Sequence, residues 1–347
     1  MLRKFFAVAL TLVMVFCVCG CADKEILIST DEPVSSEEKT ATAINPLTGL
    51  DMDASKKDAK PVAIMINNIK TAQPVQTGLM NADVVYETLV EGGITRMVAV
   101  TKDATKLEQI GSVRSARYVF LDLALGHDAI YTHAGFDPTY FANHKSELGV
   151  KTFDLNSGKT ANYGFRYSNG LSSEHTMYTT GEKLAKGIDD LDFPKTSSVD
   201  KWLTFGDKDA PTTPANACKS INVYFSGSYK SVFTYDAESG KYIKSVSGTT
   251  RTDYLTKEKF AFKNVFVLFT SVSAYSDGYH MKVDLTGGTG YYVSNGGYEE
   301  ISWSKGSAKS PLKITKADGT ELTVNAGTSY ICITDKDDKA STTITAE

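Results

Sequence analysis

The sequence predicts an α/β or α+β mixed-sheet domain followed by a β-rich domain of sandwich or barrel type. Strand-like and helix-like segments alternate between residues 45 and 191, which is typical of a sheet with helices packed against it. Beyond residue 214, short runs rich in Tyr, Val, Thr and Ile are separated by turn signals, and amphipathic helices are scarce. We therefore expect the α/β domain at residues 44–192, a linker at 193–216 and the β-rich domain at 217–347.

The start of the chain has the parts of a secretory signal peptide. A basic segment, Met1–Lys4, precedes an apolar stretch, Phe5–Val18. The sequence Val18-Cys19-Gly20-Cys21 resembles a bacterial lipobox, which implies cleavage of residues 1–20 and lipidation of Cys21. An uncleaved anchor is the alternative, but a spanning helix needs about 20 apolar residues. We expect a lipid-anchored protein on the extracytoplasmic face of the cell membrane.

Composition narrows the function classes. Residues 21–43 are polar, acidic and rich in Ser and Thr, which predicts a flexible tether. The formal net charge of −4 argues against nucleic-acid binding, and the location argues against a nucleotide-driven reaction. Cys218 and Cys332 are the only cysteines after Cys21, and they form either one disulfide or two buried thiols. The Cys and His spacings are not those of zinc sites, and we expect no metal or cofactor.

The first domain is predicted to contain a hairpin, two further strands and two helices. Pro61–Ile66 and Ala129–Ala134 are short apolar strands, and a turn at Glu91-Gly92-Gly93 joins strands Asp83–Val90 and Ile94–Thr101. Gly126 closes a helix with apolar residues at helical spacing, namely Ala116, Val119, Phe120, Leu123 and Ala124. A second helix begins at a capping box, Thr179–Glu182, and continues through Leu184 and Ile188.

The second domain shows repeated hairpin signals: Glu238–Gly240, Asp277-Gly278, Asn295–Gly297 and Asp318-Gly319. The glycine-rich run Gly287–Gly290 does not lead into a helix, so we do not expect it to bind phosphate. We expect its aromatic residues to fill a core rather than stack on sugars: Tyr291, Tyr292, Tyr298 and Trp303.

Two arginines favour an anion site. Arg114 and Arg117 stand just before the first predicted helix, whose exposed N–H groups attract anions. Guanidinium groups also donate paired hydrogen bonds that suit phosphate and carboxylate. The alternative is internal ion pairing with Glu87, Glu91 or Asp122, and the sequence leaves both open.

Glu87 lies on the apolar face of its predicted strand. Such a carboxylate either meets a cation or has a raised pKa. A two-residue Gly92-Gly93 turn puts Glu87 diagonal to Arg96, whereas a three-residue loop that includes Glu91 puts them on opposite faces. The double glycine favours the first register, and we expect a structural pair with Arg96 rather than a general base.

Two histidines are further candidates. His133 ends a predicted strand, where ligands gather in open α/β sheets, and a histidine there can donate to an anion or shuttle a proton. The alternative is an ordinary hydrogen-bonding residue. His175 precedes the second helix and is a weaker candidate on the same grounds.

Several segments together carry a resemblance to a known family: Asn45–Gly49, Ala82–Val100, Gly111–Arg117, Ala129–Gly135, Ser294–Tyr298, Trp303 and Pro311–Lys313. They resemble the YerB-like family, whose members are classed as bacterial lipoproteins, and the similarity runs from about Asn45 to the C-terminus. That family has two uncharacterised domains and no assigned function. The resemblance therefore implies a location and domain boundaries but no reaction.

A second resemblance lies in layout rather than in motifs. The order of acidic strand, second strand, arginine-containing turn, helix and strand is similar to that of the LytR-CpsA-Psr phosphotransferases, which attach glycopolymers to peptidoglycan. This resemblance implies that Arg114 and Arg117 neutralise phosphate charge, and that Glu87 places a metal ion or a nucleophile.

We expect the protein to bind or handle an anionic envelope polymer or lipid phosphate. The expected anion-binding residues are Arg114 and Arg117, with Arg96 and His175 beside them. Envelope phosphotransfer is the first alternative and gives Glu87 and His133 catalytic roles. A structural or protein-binding lipoprotein is the second.

Overall fold

The structure is a computed structural model and describes residues 41–168, 170–197 and 202–347. These residues pack as one compact unit. The predicted signal peptide, Cys21 and the tether up to residue 40 lie outside the described residues. Among the helices of these residues, none is long and apolar enough to cross a membrane.

The described residues up to 197 contain three α-helices: α1 (Tyr118–Gly126), α2 (Tyr140–Leu148) and α3 (Gly181–Asp190). The strands of the same part are β1 (Thr42–Ile44), β2 (Asp51–Asp53), β3 (Val62–Asn67), β4 (Val84–Leu89), β5 (Thr95–Thr101), β6 (Ile110–Gly111), β7 (Ile130–His133), β8 (Phe153–Asp154), β9 (Phe165–Arg166) and β10 (Met177–Thr179).

From residue 202 the described chain is built from strands: β11 (Thr204–Phe205), β12 (Asn216–Ala217), β13 (Ser220–Ser226), β14 (Tyr229–Asp236), β15 (Lys241–Val246), β16 (Thr249–Thr250), β17 (Ala261–Phe262), β18 (Asn264–Thr270), β19 (Val272–Ala274), β20 (Met281–Val283), β21 (Gly287–Ser294), β22 (Gly297–Ser304), β23 (Lys313–Lys316), β24 (Thr323–Val324), β25 (Ser329–Asp335) and β26 (Thr343–Thr345). The predicted fold class is confirmed, with a mixed α/β first part and a strand-rich second part.

The largest sheet of the described residues has eleven strands and takes them from both parts of the chain. Its order is β12-β22-β21-β18-β25-β4-β5-β3-β7-β8, with β23 paired to β22. The central strands β3, β4, β18 and β25 are almost wholly buried, as expected where both faces of a sheet are covered. Parallel pairing of β25 with β4 makes the sheet continuous.

A second sheet, with the order β16-β15-β14-β13-β26 and β17 paired to β15, packs against the first. Residues of β13 alternate between buried and half-buried, which is the pattern of a sheet with one covered face. The ring centroid of Phe233 on β14 lies 5.0 Å from that of Tyr330 on β25, so the core lies between the two sheets.

The predicted hairpin, strands and first helix are confirmed, but the cap of the second helix differs by one residue. Thr180 caps α3, and its hydroxyl accepts a hydrogen bond from the Lys183 N–H. The neighbouring Thr179 hydroxyl donates to the Tyr163 carbonyl instead. Thr179 is the last residue of β10, and because its hydroxyl contacts Tyr163 it does not cap the helix.

The segments predicted as tether and linker contribute to the folded part. Thr42 and Ala43 pair with β2 in a short antiparallel ribbon. Trp202 and Leu203, from the predicted linker, are buried. The apolar character of these two side chains explains why that segment packs rather than lying free.

The cysteines and the glycine-rich run have structural roles. Cys218 and Cys332 are free and buried, so the disulfide alternative is wrong. Gly288 lies in β21, where a Cβ atom would come 2.1 Å from the Phe269 carbonyl oxygen. Glycine is therefore required there by the close approach of strand β18.

Candidate functional site

The carboxyl ends of several parallel strands lie together at one edge of the largest sheet. β3, β7 and β8 are parallel neighbours, and β5 begins at the edge where they end. The chain from residue 111 to residue 117 crosses this edge before α1, because the Arg114 N–H donates to the Met65 carbonyl and the Ala116 N–H to the Gly135 carbonyl. This crossing brings Arg114 and Arg117 to the edge.

Arg117 and Arg96 share one carboxylate at this edge. Arg117 Nε donates to Glu91 Oε1 at 2.6 Å, its Nη2 contacts the same oxygen, and Arg96 Nη2 lies 3.8 Å away. Arg96 Nη1 also donates to the Ser115 carbonyl at 2.7 Å. Burial, and then the nearby Arg114, lower the pKa of Arg96 to about 10. For Arg117, the internal ion pair with Glu91 that the sequence left open is present.

Arg114 is more open to solvent. Its Nη2 donates to Glu174 Oε2 at 2.5 Å, and the two side chains are 23% and 49% exposed. An ion pair with this exposure contributes about 0–1 kcal/mol, because water screens it and both side chains lose freedom. The pair is therefore easily exchanged for another anion.

Arg166 is a site residue that the sequence reasoning missed. Its Nη2 donates to Asn156 Oδ1 at 2.9 Å, and its Nη1 donates to the Ser173 carbonyl. Among the described residues, no carboxylate lies within 4.0 Å of its guanidinium group. Because β9 has only two residues, no periodic pattern in the sequence marks Arg166 as part of an edge. Arg114 and Arg166 thus reach the same turn, Ser173–His175.

Both candidate histidines lie at the edge but are not cations near neutral pH. His133 Nδ1 is 2.9 Å from the Gly135 carbonyl and must donate to it, so Nε2 accepts from the Thr152 hydroxyl. Burial lowers the pKa of His133 to about 4, although Asp154 opposes this. His175 Nδ1 lies 2.9 Å from the Asn67 amide nitrogen, and burial lowers its pKa as well. The positive charge of the edge therefore comes from arginine.

The register of the β4–β5 hairpin differs from the one that we favoured. Thr88 pairs with Arg96 and Glu87 with Met97, so Glu87 and Arg96 point to opposite faces. The turn has three residues, since the Val90 N–H donates to the Ile94 carbonyl. Both Gly92 and Gly93 have positive φ, and the double glycine fits this longer loop as well as the shorter one.

Glu87 is therefore not a partner of Arg96 and does not line the edge. It is fully buried, and its Oε2 accepts from Lys244 Nζ at 2.7 Å, from Ser231 and from Tyr330. Burial raises the pKa of Glu87, but Lys244 and these hydrogen bonds outweigh it and hold the pKa below its ordinary value. A phosphotransferase layout would need Glu87 beside the arginines, and the sheet separates them.

Asp122, a third possible arginine partner, pairs with His144 Nε2 at 2.6 Å. In the described part of the chain, no group of three His, Cys, Asp or Glu side chains is arranged to hold a metal ion.

Comparisons with known proteins place the chain in a family. Two family models match it, "Protein of unknown function (DUF3048) N-terminal domain" at residues 47–194 and the corresponding C-terminal domain at residues 221–331. The chain belongs to the DUF3048 family. "Putative lipoprotein YerB" of Bacillus subtilis (strain 168) is 28% identical to this DUF3048 protein over 346 residues, which is 98% of each chain. The predicted YerB-like resemblance is confirmed.

A solved structure is similar as well. The crystal structure of the YerB protein from Bacillus subtilis covers 87% of this chain and 99% of its own, with a TM-score of 0.75 and 28% identity. The DUF3048 protein is thus similar over nearly its whole length to a protein named as a lipoprotein.

Proposed function

We propose that this DUF3048 protein is anchored through a lipid on Cys21 at the extracytoplasmic face of the membrane and binds an anionic group of the cell envelope. The binding surface is the arginine edge, which we define as Arg96, Arg114, Arg117 and Arg166. The bound group is a phosphate or a carboxylate.

The observation that carries this proposal is the pair of guanidinium groups at the turn Ser173–His175. Arg166 has no carboxylate partner in the described residues, and Arg114 has the half-exposed Glu174. An incoming anion displaces Glu174 at little cost, because the exposed pair is weak. Two guanidinium groups then donate charge-assisted hydrogen bonds to one anion.

The edge favours binding over proton transfer. His133 and His175 are both hydrogen-bonded to the protein, and burial lowers the pKa of each. Glu87, the one fully buried acid considered as a base, lies on the other face of the sheet. These observations support a binding protein, with phosphotransfer as the weaker possibility.

Thermal unfolding of the full-length chain tests the proposal. Pyrophosphate, a polyprenyl phosphate and a teichoic-acid fragment are each added to the wild type and to the double variant Arg114→Ala/Arg166→Ala. A ligand at about 100 times its dissociation constant adds roughly 2.7 kcal/mol of stability. We expect at least one anion to raise the wild-type midpoint and to leave that of the double variant unchanged.

The matched control is Lys186→Ala, which removes an exposed cation paired with Asp190 on α3. The unfolding midpoint of this control should rise with the anion as much as that of the wild type. If no anion shifts the wild type, the anion-binding proposal is wrong, and a structural or protein-binding role replaces it.

A further inference from the structure

A cavity of about 380 Å³ opens between the segment that follows β3 and the β14–β16 part of the second sheet. Its volume lies within the range of about 300–1,000 Å³ that is usual for small-molecule sites. Most of its wall is apolar, and the apolar residues are Ile69, Pro74, Ile94 and Val246. Arg251 and Tyr229 belong to the same wall.

Arg251 is a buried cation without a counter-charge. The residue is 8% exposed, and among the described residues only its Nη2 has a hydrogen-bond partner, the Gln73 carbonyl. Nε is buried and has no acceptor in that part of the chain, and no carboxylate there lies within 4.0 Å. Burial lowers the pKa of Arg251. Buried charges are ordinarily paired, so this guanidinium group lacks an anion.

Tyr229, the polar neighbour of Arg251 in the cavity wall, does not supply an anion or a free acceptor. The Tyr229 hydroxyl donates to the Asn68 carbonyl and accepts from Gln73 Nε2. Its hydrogen-bonding capacity is thus largely used by the segment after β3. Lys70, at the exposed part of the wall, adds a second positive charge and no negative one.

We propose that this cavity binds a small amphipathic anion, with a carboxylate or phosphate at Arg251 and an apolar body against Ile94 and Val246. The guanidinium N–H groups that Gln73 leaves without an acceptor donate to the anion, and the apolar wall excludes water from the rest of the ligand. No residue of the arginine edge lines this cavity, so the proposal stands independently of the one above.

Isothermal titration calorimetry on the full-length chain tests this site. The probes are hexanoate and hexyl phosphate, with hexanol as the neutral match and acetate as the anion without an apolar body. We expect saturable binding of one or both anionic probes and at least roughly tenfold weaker binding of hexanol and acetate. Arg251→Gln should weaken the anionic probes by roughly ten- to a hundredfold.

A second variant tests the same site without changing Arg251, in case Arg251→Gln does not fold. Ile94→Asp leaves Arg251 in place and puts a negative charge in the half-exposed wall, so it should abolish binding of the anionic probes while circular dichroism stays unchanged. In Arg114→Ala/Arg166→Ala, which lacks two arginines of the arginine edge, the anionic probes should still bind, and adding Arg251→Gln to that variant should still weaken them. Binding of hexanol as tight as that of the tighter anionic probe, no binding of any probe, or unchanged binding by Arg251→Gln would each overturn the proposal.

Discussion

Glu87 ties β4 to strands of the second part of the chain through a single carboxylate. Lys244 on β15 and Tyr330 on β25 both donate to its Oε2. A carboxylate on an apolar strand face predicts that a cation faces it, and one does. The sequence could not identify that cation, because Lys244 lies 157 positions later, whereas Arg96 stands on the adjacent strand.

The first prediction concerns this buried ion pair. Glu87→Gln should lower the free energy of unfolding by about 3–5 kcal/mol, because it leaves Lys244 charged and buried without a partner. Urea unfolding at pH 7 measures this change. Glu87→Met/Lys244→Met removes both charges and should recover most of the loss. A loss below about 1 kcal/mol in the single variant would contradict the pairing.

The buried His127 predicts that the free energy of unfolding depends on pH. Its Nε2 lies 2.6 Å from the Tyr86 hydroxyl, and burial, followed by Lys305, lowers its pKa to about 3. The unfolded chain takes up a proton near pH 6.5 and the folded chain does not, so stability falls as the pH drops below 6.5. At pH 5 the loss from this residue is about 2 kcal/mol.

The variant His127→Phe does not titrate, so its loss between pH 7 and pH 5 should be about 2 kcal/mol smaller than that of the wild type. The comparison is needed because burial raises the pKa of Asp83 to about 6. Protonation of Asp83 therefore raises the free energy of unfolding as the pH falls, which opposes the effect of His127. Asp83 acts equally in both proteins. Equal losses in denaturant unfolding at the two pH values would refute the role of His127.

At the scale of elements, the hairpin loop and the segment before α1 form one unit at the sheet edge. Glu91 in the loop and Arg117 before the helix are joined by an ion pair, and Glu91 is 5% exposed. The sequence predicted the hairpin and the helix. The register depended on the loop having three residues, and two glycines with positive φ suit both loop lengths.

Two single variants separate these arginines. Arg117→Ala should lower the free energy of unfolding by about 1.5–3 kcal/mol, because the buried Glu91 carboxylate loses its hydrogen bonds to Arg117 and keeps only Arg96, 3.8 Å away. Arg114→Ala should change it by less than about 1 kcal/mol, because its partner Glu174 is half exposed. Urea unfolding of both variants makes the comparison. Equal losses of unfolding free energy in the two variants would contradict the difference between a buried and an exposed ion pair.

At the scale of the whole molecule, the two matched family regions share one sheet. β25 lies between β18 and β4, with parallel neighbours on both sides, and the Glu87–Lys244 pair joins the sheets across the core. We expected two domains because the composition changes near residue 214. Composition reports local patterning, and the pairing of β25 with β4 is a contact between residues about 245 positions apart, which periodicity does not reveal.

The shared sheet predicts one cooperative unfolding transition. Trp202 and Trp303 are the two tryptophans of the chain, and both are buried. The Trp202 ring contacts that of His127 in the first part, whereas Trp303 lies on β22 in the second. Trp202→Phe leaves Trp303 as the fluorescent reporter, and Trp303→Phe leaves Trp202. Within each variant, the fluorescence midpoint in urea should coincide with that of circular dichroism. Separate midpoints would mean that the two parts unfold independently.

Calorimetric titration of pyrophosphate into the full-length wild type, Arg114→Ala and Glu174→Gln tests the central claim most directly. The wild type should bind, Arg114→Ala should bind roughly tenfold or more weakly, and Glu174→Gln should bind more tightly because the competing carboxylate is gone. Absence of binding in all three proteins, or equal affinity in all three, would contradict an anion site at the arginine edge.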